Sequence, residues 1–265
     1  MTSHQHNEHS RDVHPHHVGA RPLAERIAVS PVPGGPLDSA AGLARLGELG
    51  VAATELGPPG FLPEDPQEAA RLLADAGLEA AGQVVPVVLD DPAADPLAEL
   101  EPTLDRLTAT EASTLVVVAP RSGDPASSRD DDGARETLLR NVDRVAEAAE
   151  ARGLTAALCP RVGTAVEPGD DTQRVLDGSR IGLCLDTGAV LEAGGDPVAL
   201  ARRHARRIAH VHLRGVASGD LDVAGLVSAL EDAGYDGWYV LQDDEVEEAL
   251  DHLLALAAQW SGVGT

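Results

Sequence analysis

Residues 181–214, "IGLCLDTGAVLEAGGDPVALARRHARRIAHVHLR", decide the fold. The apolar run "IGLCL" ends at Asp186 and turns on Thr187-Gly188. Asp196-Pro197 then supplies a helix start, with an N-cap acid followed by proline at the first helical position. A second apolar run, "IAHVHLR" (208–214), closes the unit. Strand, helix and strand in this order make a crossover unit, which implies parallel strands.

Working outward, the same alternation continues. Short apolar runs occur at 26–30, 52–56, 80–88, 114–120, 154–160, 181–186, 208–214 and 238–243, eight in all. "DPQEAARLL" starts a helix with Asp65 as cap, Pro66 at the first position and Glu68 where a capping box places it. Leu138, Val142, Val145 and Ala149 recur at helical spacing, as do Val246, Leu250, Leu253 and Ala257. Between 91 and 110 the pattern is weakest, and Pro102 is expected to open that helix. Eight strands alternating with eight helices predict a single (β/α)8 barrel of the TIM type over residues 21–262. A doubly wound open sheet would bring a glycine-rich phosphate loop after the first strand; "SPVPGGP" lacks the required GxGxxG spacing.

Residues 1–20 differ in kind. Six of the chain's ten histidines stand there, at positions 4, 6, 9, 14, 16 and 17, without apolar periodicity. A disordered, dispensable tail with adventitious metal affinity is expected. The chain as a whole has 265 residues, 43% of them hydrophobic but only 2% aromatic, so Ala, Val and Leu must build the core. All twenty cationic side chains are arginine, which excludes a lysine base or Schiff base. A formal charge of −24 argues against a nucleic-acid backbone as partner. No apolar run approaches the ~20 residues that span a bilayer, and no signal peptide is legible. Cys159 and Cys184 are too few for a disulfide framework. A cytoplasmic location is expected.

A barrel gathers its chemistry at the C-terminal ends of its strands, and side chains alternate faces along each strand. Val211 and Leu213 suit the helix layer, so His210, His212 and Arg214 point inward. By the same parity Cys184 and Asp186 point inward, as do Cys159 and Arg161, and Trp238, Val240 and Gln242. Glu55 ends the second strand, and Glu167 follows the fifth. Asp186 with His212, Glu167 and Gln242 would make a mixed oxygen and nitrogen site suited to Mn²⁺, Mg²⁺ or Zn²⁺. Glu55, Arg161, Arg214 and Trp238 are the expected substrate contacts.

The stretches "GLTAALCPRVGTAVE", "IGLCLDTGAVLEAGGDPVALARRHARRIAHVHLRGV" and "GYDGWYVLQDD" resemble the sugar phosphate isomerase/epimerase family of xylose isomerase-like barrels, in its inosose dehydratase-like branch. "GVAATELGPPGFLPEDP" fits that branch too, and the resemblance covers about residues 25–258. It implies a divalent metal held by Glu167, Asp186, His212 and Gln242. It also implies proton abstraction from a sugar or polyol-derived ketone, with Glu167 as base; His210, on the same inward face but at no ligand position of the family, is the expected proton donor. Several positions depart from the family's pattern. Its "HPHVGTAVE" is written with Cys159 and Arg161 in place of both histidines, and its "DTGH" ends in Ala189. Its "HVHLKD" carries Arg214 and Gly215 in place of Lys and Asp, and its final carboxylate ligand is Gln242. Arginine does not replace lysine as an acid or base, and a glutamine offers an oxygen without charge. The expectation is therefore an isomerase or dehydratase with a weakened metal site. The alternative is a catalytically silent barrel that binds a sugar-like ligand or a partner protein. An abasic-site endonuclease on the same fold is disfavoured by the acidity.

Overall fold

The computed structural model describes residues 21–31, 39–123 and 132–261. The His-rich tail and residue 262 lie outside them. Eight parallel strands close a barrel in sequence order: β1 (Ile27–Val29), β2 (Ala53–Glu55), β3 (Glu79–Pro86), β4 (Thr114–Val118), β5 (Thr155–Leu158), β6 (Gly182–Asp186), β7 (Ile208–Leu213) and β8 (Tyr239–Leu241). Each falls within or overlaps one of the eight apolar runs. Around them stand α1 (Ser39–Glu48), α2 (Pro66–Asp75), α3 (Pro96–Ala109), α4 (Asp132–Glu150), α5 (Asp170–Gly178), α6 (Thr187–Glu192), α7 (Pro197–His204), α8 (Val223–Glu231) and α9 (Val246–Ser261). No described helix is long and apolar enough to cross a membrane.

Strand parity sorts the side chains into two layers. Leu183, Leu185, Val211, Leu213, Leu115 and Val117 join the large cluster between sheet and helices. The barrel interior is lined by small groups. Ala28, Ala53, Ala81 and Val240 pack with Trp238 on one side, and Val116, Ala157, Cys159 and Cys184 on the other. With so few aromatic residues, the single indole of Trp238 fills a floor that alanines leave open. Gly82 is required where β3 crosses β4, since a Cβ there would lie 2.6 Å from the Thr114 carbonyl oxygen.

The helix starts repeat one device. Asp65, Asp95 and Asp196 each precede a proline and cap with a carboxylate, accepting from Glu68, Leu97 and Val198 N–H at 2.8, 3.3 and 2.9 Å. This corrects the expectation for Pro102. The helix begins at Pro96, and Pro102 lies inside it on the exposed face. The carbonyl of exposed Ala98, which Pro102 cannot bond, therefore faces water. Among the described residues the helix count also differs from eight. The β6–β7 connection carries two helices, because Asp186 caps α6, Gly194 and Gly195 interrupt it, and Asp196-Pro197 starts α7.

Candidate active site

Two features of local chain geometry aim the polar groups. The pairing of β6 with β7 starts at Leu183↔Ile208 and then shifts by one residue. After that shift Cys184 pairs with His210 and Asp186 with His212. Without it Cys184 would lie beside Ala209, and the histidines would be offset from their acids. A second shift, in β2–β3 between Thr54 and Glu55, sets the carboxylate at the last position of β2.

Glu55, His210 and His212 form a buried knot. The Nε2 atoms of His210 and His212 lie 3.1 and 2.9 Å from the same oxygen, Glu55 Oε1. Their rings meet edge to face at 5.1 Å. Burial pushes the Glu55 carboxyl up, but the two imidazoles outweigh it and hold it well below the usual range. Burial pushes His212 down, yet Glu55 and Asp186 raise it well above its ordinary value. His210 is lowered by burial, with only Glu55 to oppose it. His212 therefore holds a proton more readily than His210.

Above this knot, Asp186 is 2% exposed. One of its oxygens caps α6 through Ala189 N–H at 3.0 Å. The other meets Arg161 Nη2 at 2.8 Å and lies 3.8 Å from His212 Nδ1. Burial raises its carboxyl, but His212 and Arg161 hold it down to about 2. Arg214 reaches across to Gln242, with Nε and Nη2 at 3.3 and 3.2 Å from Oε1. Gln242 Nε2 points back towards Glu55 Oε2 at 3.5 Å. A cavity of about 290 Å³ opens among Arg161, Val162, Asp186, Gly188, Ala189, Glu192 and Arg214.

The structure thus gathers Glu55, Arg161, Asp186, His212, Arg214 and Gln242 at the C-terminal mouth. Glu167 sits half-buried on the β5–α5 loop, where its carboxylate accepts from Gly163 N–H at 3.1 Å. His210 is fully enclosed, as are Glu55 and His212 around it, and none of the three lines this cavity. Trp238 lies apart. It precedes β8 at the opposite end of the barrel, buried on the floor with Arg21 stacked 4.6 Å above its ring.

Glu167, Asp186, His212 and Gln242 do not fit a hard dication as they stand. A guanidinium occupies the open side of Asp186, another holds the Gln242 oxygen, and Glu167 is turned to a backbone N–H. Hard ions need several free oxygens. Among the described residues, two other groups bring ligand atoms within 4.8 Å of one another: Glu55, His210 and His212, and Cys159, Cys184 and His212.

Sequence reasoning missed the supports of this mouth. Thr187 Oγ1 donates to the Arg214 carbonyl at 2.9 Å and accepts its N–H at 2.8 Å. Gly188 makes room for the Arg214 stem, since a Cβ would stand 2.6 Å from its Cδ. Asp243 accepts from Gly215 and Val216 N–H at 2.7 and 2.9 Å and fixes the turn after β7. The only sequence signal for them was adjacency to an inward-facing residue.

The chain resembles proteins of known activity. It is 32% identical over 139 residues to the rhizopine catabolism protein MocC of Rhizobium meliloti, a match of 42% of this chain and 43% of the relative. The match thus spans less than half the length of that relative. An inosose dehydratase of Geobacillus kaustophilus is 24% identical over 250 residues, 77% of this chain and 79% of the relative. Among solved structures, the E. coli 3-keto-D-glucoside 4-epimerase superposes with a TM-score of 0.72 at 17% identity, covering 88% of this chain and 99% of that one. A D-allulose 3-epimerase from Methylomonas sp., in complex with D-allulose, gives 0.65 at 16%, covering 93% and 100%. The model of one family matches residues 43–259, and with the closed eight-stranded barrel around the mouth just described, the chain belongs to the xylose isomerase-like TIM barrels.

Proposed function

We propose that the mouth takes a sugar or polyol-derived ketone and moves a proton at the carbon beside its carbonyl with one base, as an isomerase or a dehydratase would. One observation carries this reading. Arg161 and Arg214 line the same cavity, each positioned by a partner, Asp186 or Gln242. Their N–H groups are pre-aimed donors for a carbonyl oxygen and a neighbouring hydroxyl, and they stabilise the negative charge that develops on an enediolate. Glu167, on the loop after β5, is the carboxylate we assign to accept the proton. Gln242 neither accepts nor returns a proton, so inversion by two carboxylates is absent. The inosose dehydratase and sugar epimerase names among the relatives support the substrate class.

A second reading rests on the same contacts. The guanidiniums lock Asp186 and Gln242, and a barrel so locked holds a sugar-like ligand without turning it over. Incubation with ketoses and inososes in D₂O, followed by NMR, separates the two. One-base chemistry gives deuterium at the α-carbon without inversion, and Glu167→Gln abolishes the exchange. Saturable ligand binding with no exchange establishes the silent barrel. Inversion that depends on Glu167 overturns the one-base reading.

A further inference from the structure

We propose that Cys159, Cys184 and His212 form a soft-metal site that takes Zn²⁺, set in the barrel interior just beneath the mouth. It shares only His212 with the ligand set that the family resemblance implies. Cys159 follows β5, and Cys184 lies on β6. Both are free thiols and both face inward on adjacent strands. Their sulfur atoms and His212 Nδ1 lie within 4.8 Å of one another, and Cys184 Sγ stands 3.6 Å from Nδ1. A tetrahedral ion with bonds of about 2.3 Å to sulfur and about 2.0 Å to nitrogen holds those two ligands about 3.5 Å apart. The atoms already occupy the edge that such an ion would span.

The surroundings are those of a metal-bound histidine. The other ring nitrogen of His212 meets Glu55 Oε1 at 2.9 Å, the carboxylate contact that orients a ligating imidazole and fixes its tautomer. Asp186 Oδ2 lies 3.8 Å from Nδ1 but is held by Arg161 at 2.8 Å, so it stays outside the ligand set. Two thiolates match the charge of one dication, and Arg161 pairs with the Asp186 carboxylate beside them. Thiolate sulfur selects Zn²⁺ over Mn²⁺ and Mg²⁺. A sulfur-rich site beneath the mouth thus selects a different ion from the one the oxygen-rich set would take. This inference stands whether or not the mouth catalyses proton transfer.

Cobalt titration of the full chain tests it. The tail histidines bind Co²⁺ without thiolate, so the sulfur-to-cobalt charge-transfer absorption reports this site alone. The expected result is one Co²⁺ per chain carrying that band, bleached by stoichiometric Zn²⁺ and untouched by equal Mn²⁺. Cys159→Ser and Cys184→Ser should each cut the band by half or more, and the double variant should remove it, while circular dichroism stays unchanged. Glu55→Gln keeps every ligand and should weaken affinity by roughly 10–100-fold. Cobalt bound by the unsubstituted, reduced chain without a charge-transfer band overturns the proposal, and so does a band left undiminished in Cys184→Ser. A chain purified without reductant that shows no titratable thiol, the sulfurs being joined to each other, overturns it too.

Discussion

At the residue scale, Asp186 shows how one side chain serves both fold and site. It ends β6, caps α6, and holds Arg161 at the cavity wall. Its carboxyl titrates at about 2 when folded, against 3.8 for the free side chain. The folded form binds its proton less readily than the unfolded chain, so this contribution is complete above the unfolded value and is lost as pH falls towards 2. It amounts to about 2 kcal/mol at neutral pH. Asp186→Asn leaves Arg161 and His212 facing a neutral amide, so the loss at pH 7 should be at least that large. The gap between variant and parent should narrow as pH drops below about 4. Urea unfolding at stepped pH checks this, and a gap that stays constant across the range would show that the ion pairs contribute nothing. The residue itself was legible as the acid at a strand tip. Its partner was not, because parity placed Arg161 inward but gave no distance to Asp186.

At the element scale, the strands were legible and the helix boundaries less so. Strands buried on both faces are short apolar runs, and each run stood between turn signals. The register shifts in β2–β3 and β6–β7 left no trace in composition. They depend on how neighbouring strands meet, and they decide which histidine faces which acid. For α3, Pro102 drew attention from the Asp95-Pro96 start, although that pair repeats the motif at 65–66 and 196–197. A proline in the second turn is tolerated because its face is exposed, yet it still deletes one helical bond. Pro102→Ala restores an N–H to the Ala98 carbonyl and should stabilise the chain by about 1 kcal/mol or more. A rise in Tm of roughly 2–4 °C is the expected reading for a domain of this size. A fall would mean that the pyrrolidine packs on a neighbour that alanine cannot reach.

At the scale of the whole molecule, closing the barrel is the problem. The first and last strands lie more than two hundred residues apart in the chain and still must pair, as Ile27↔Tyr239 does. Arg26, 2% exposed, ties this seam. Its guanidinium donates to the Arg21 carbonyl at 2.9 Å, to the Tyr235 carbonyl at 3.0 Å and to Glu231 at 2.6 Å, while Tyr239 Oη donates to the same carboxylate at 2.7 Å. No periodicity in the sequence announced it, since a lone arginine before a strand reads as surface. Arg26→Met keeps the stem but takes a donor from each of four carbonyl or carboxylate partners, Gly237 among them. Breaking a buried pair on one side costs about 3–5 kcal/mol, or roughly 10 °C in Tm at this size. Arg26→Lys keeps the charge without the planar fork, so it should recover less than half of that loss. The second substitution Glu231→Met, placed on Arg26→Met, removes the stranded carboxylate and should return part of the stability. If the double variant is instead as unstable as the sum of its parts, the two residues act independently, and the seam is held by strand pairing and packing alone.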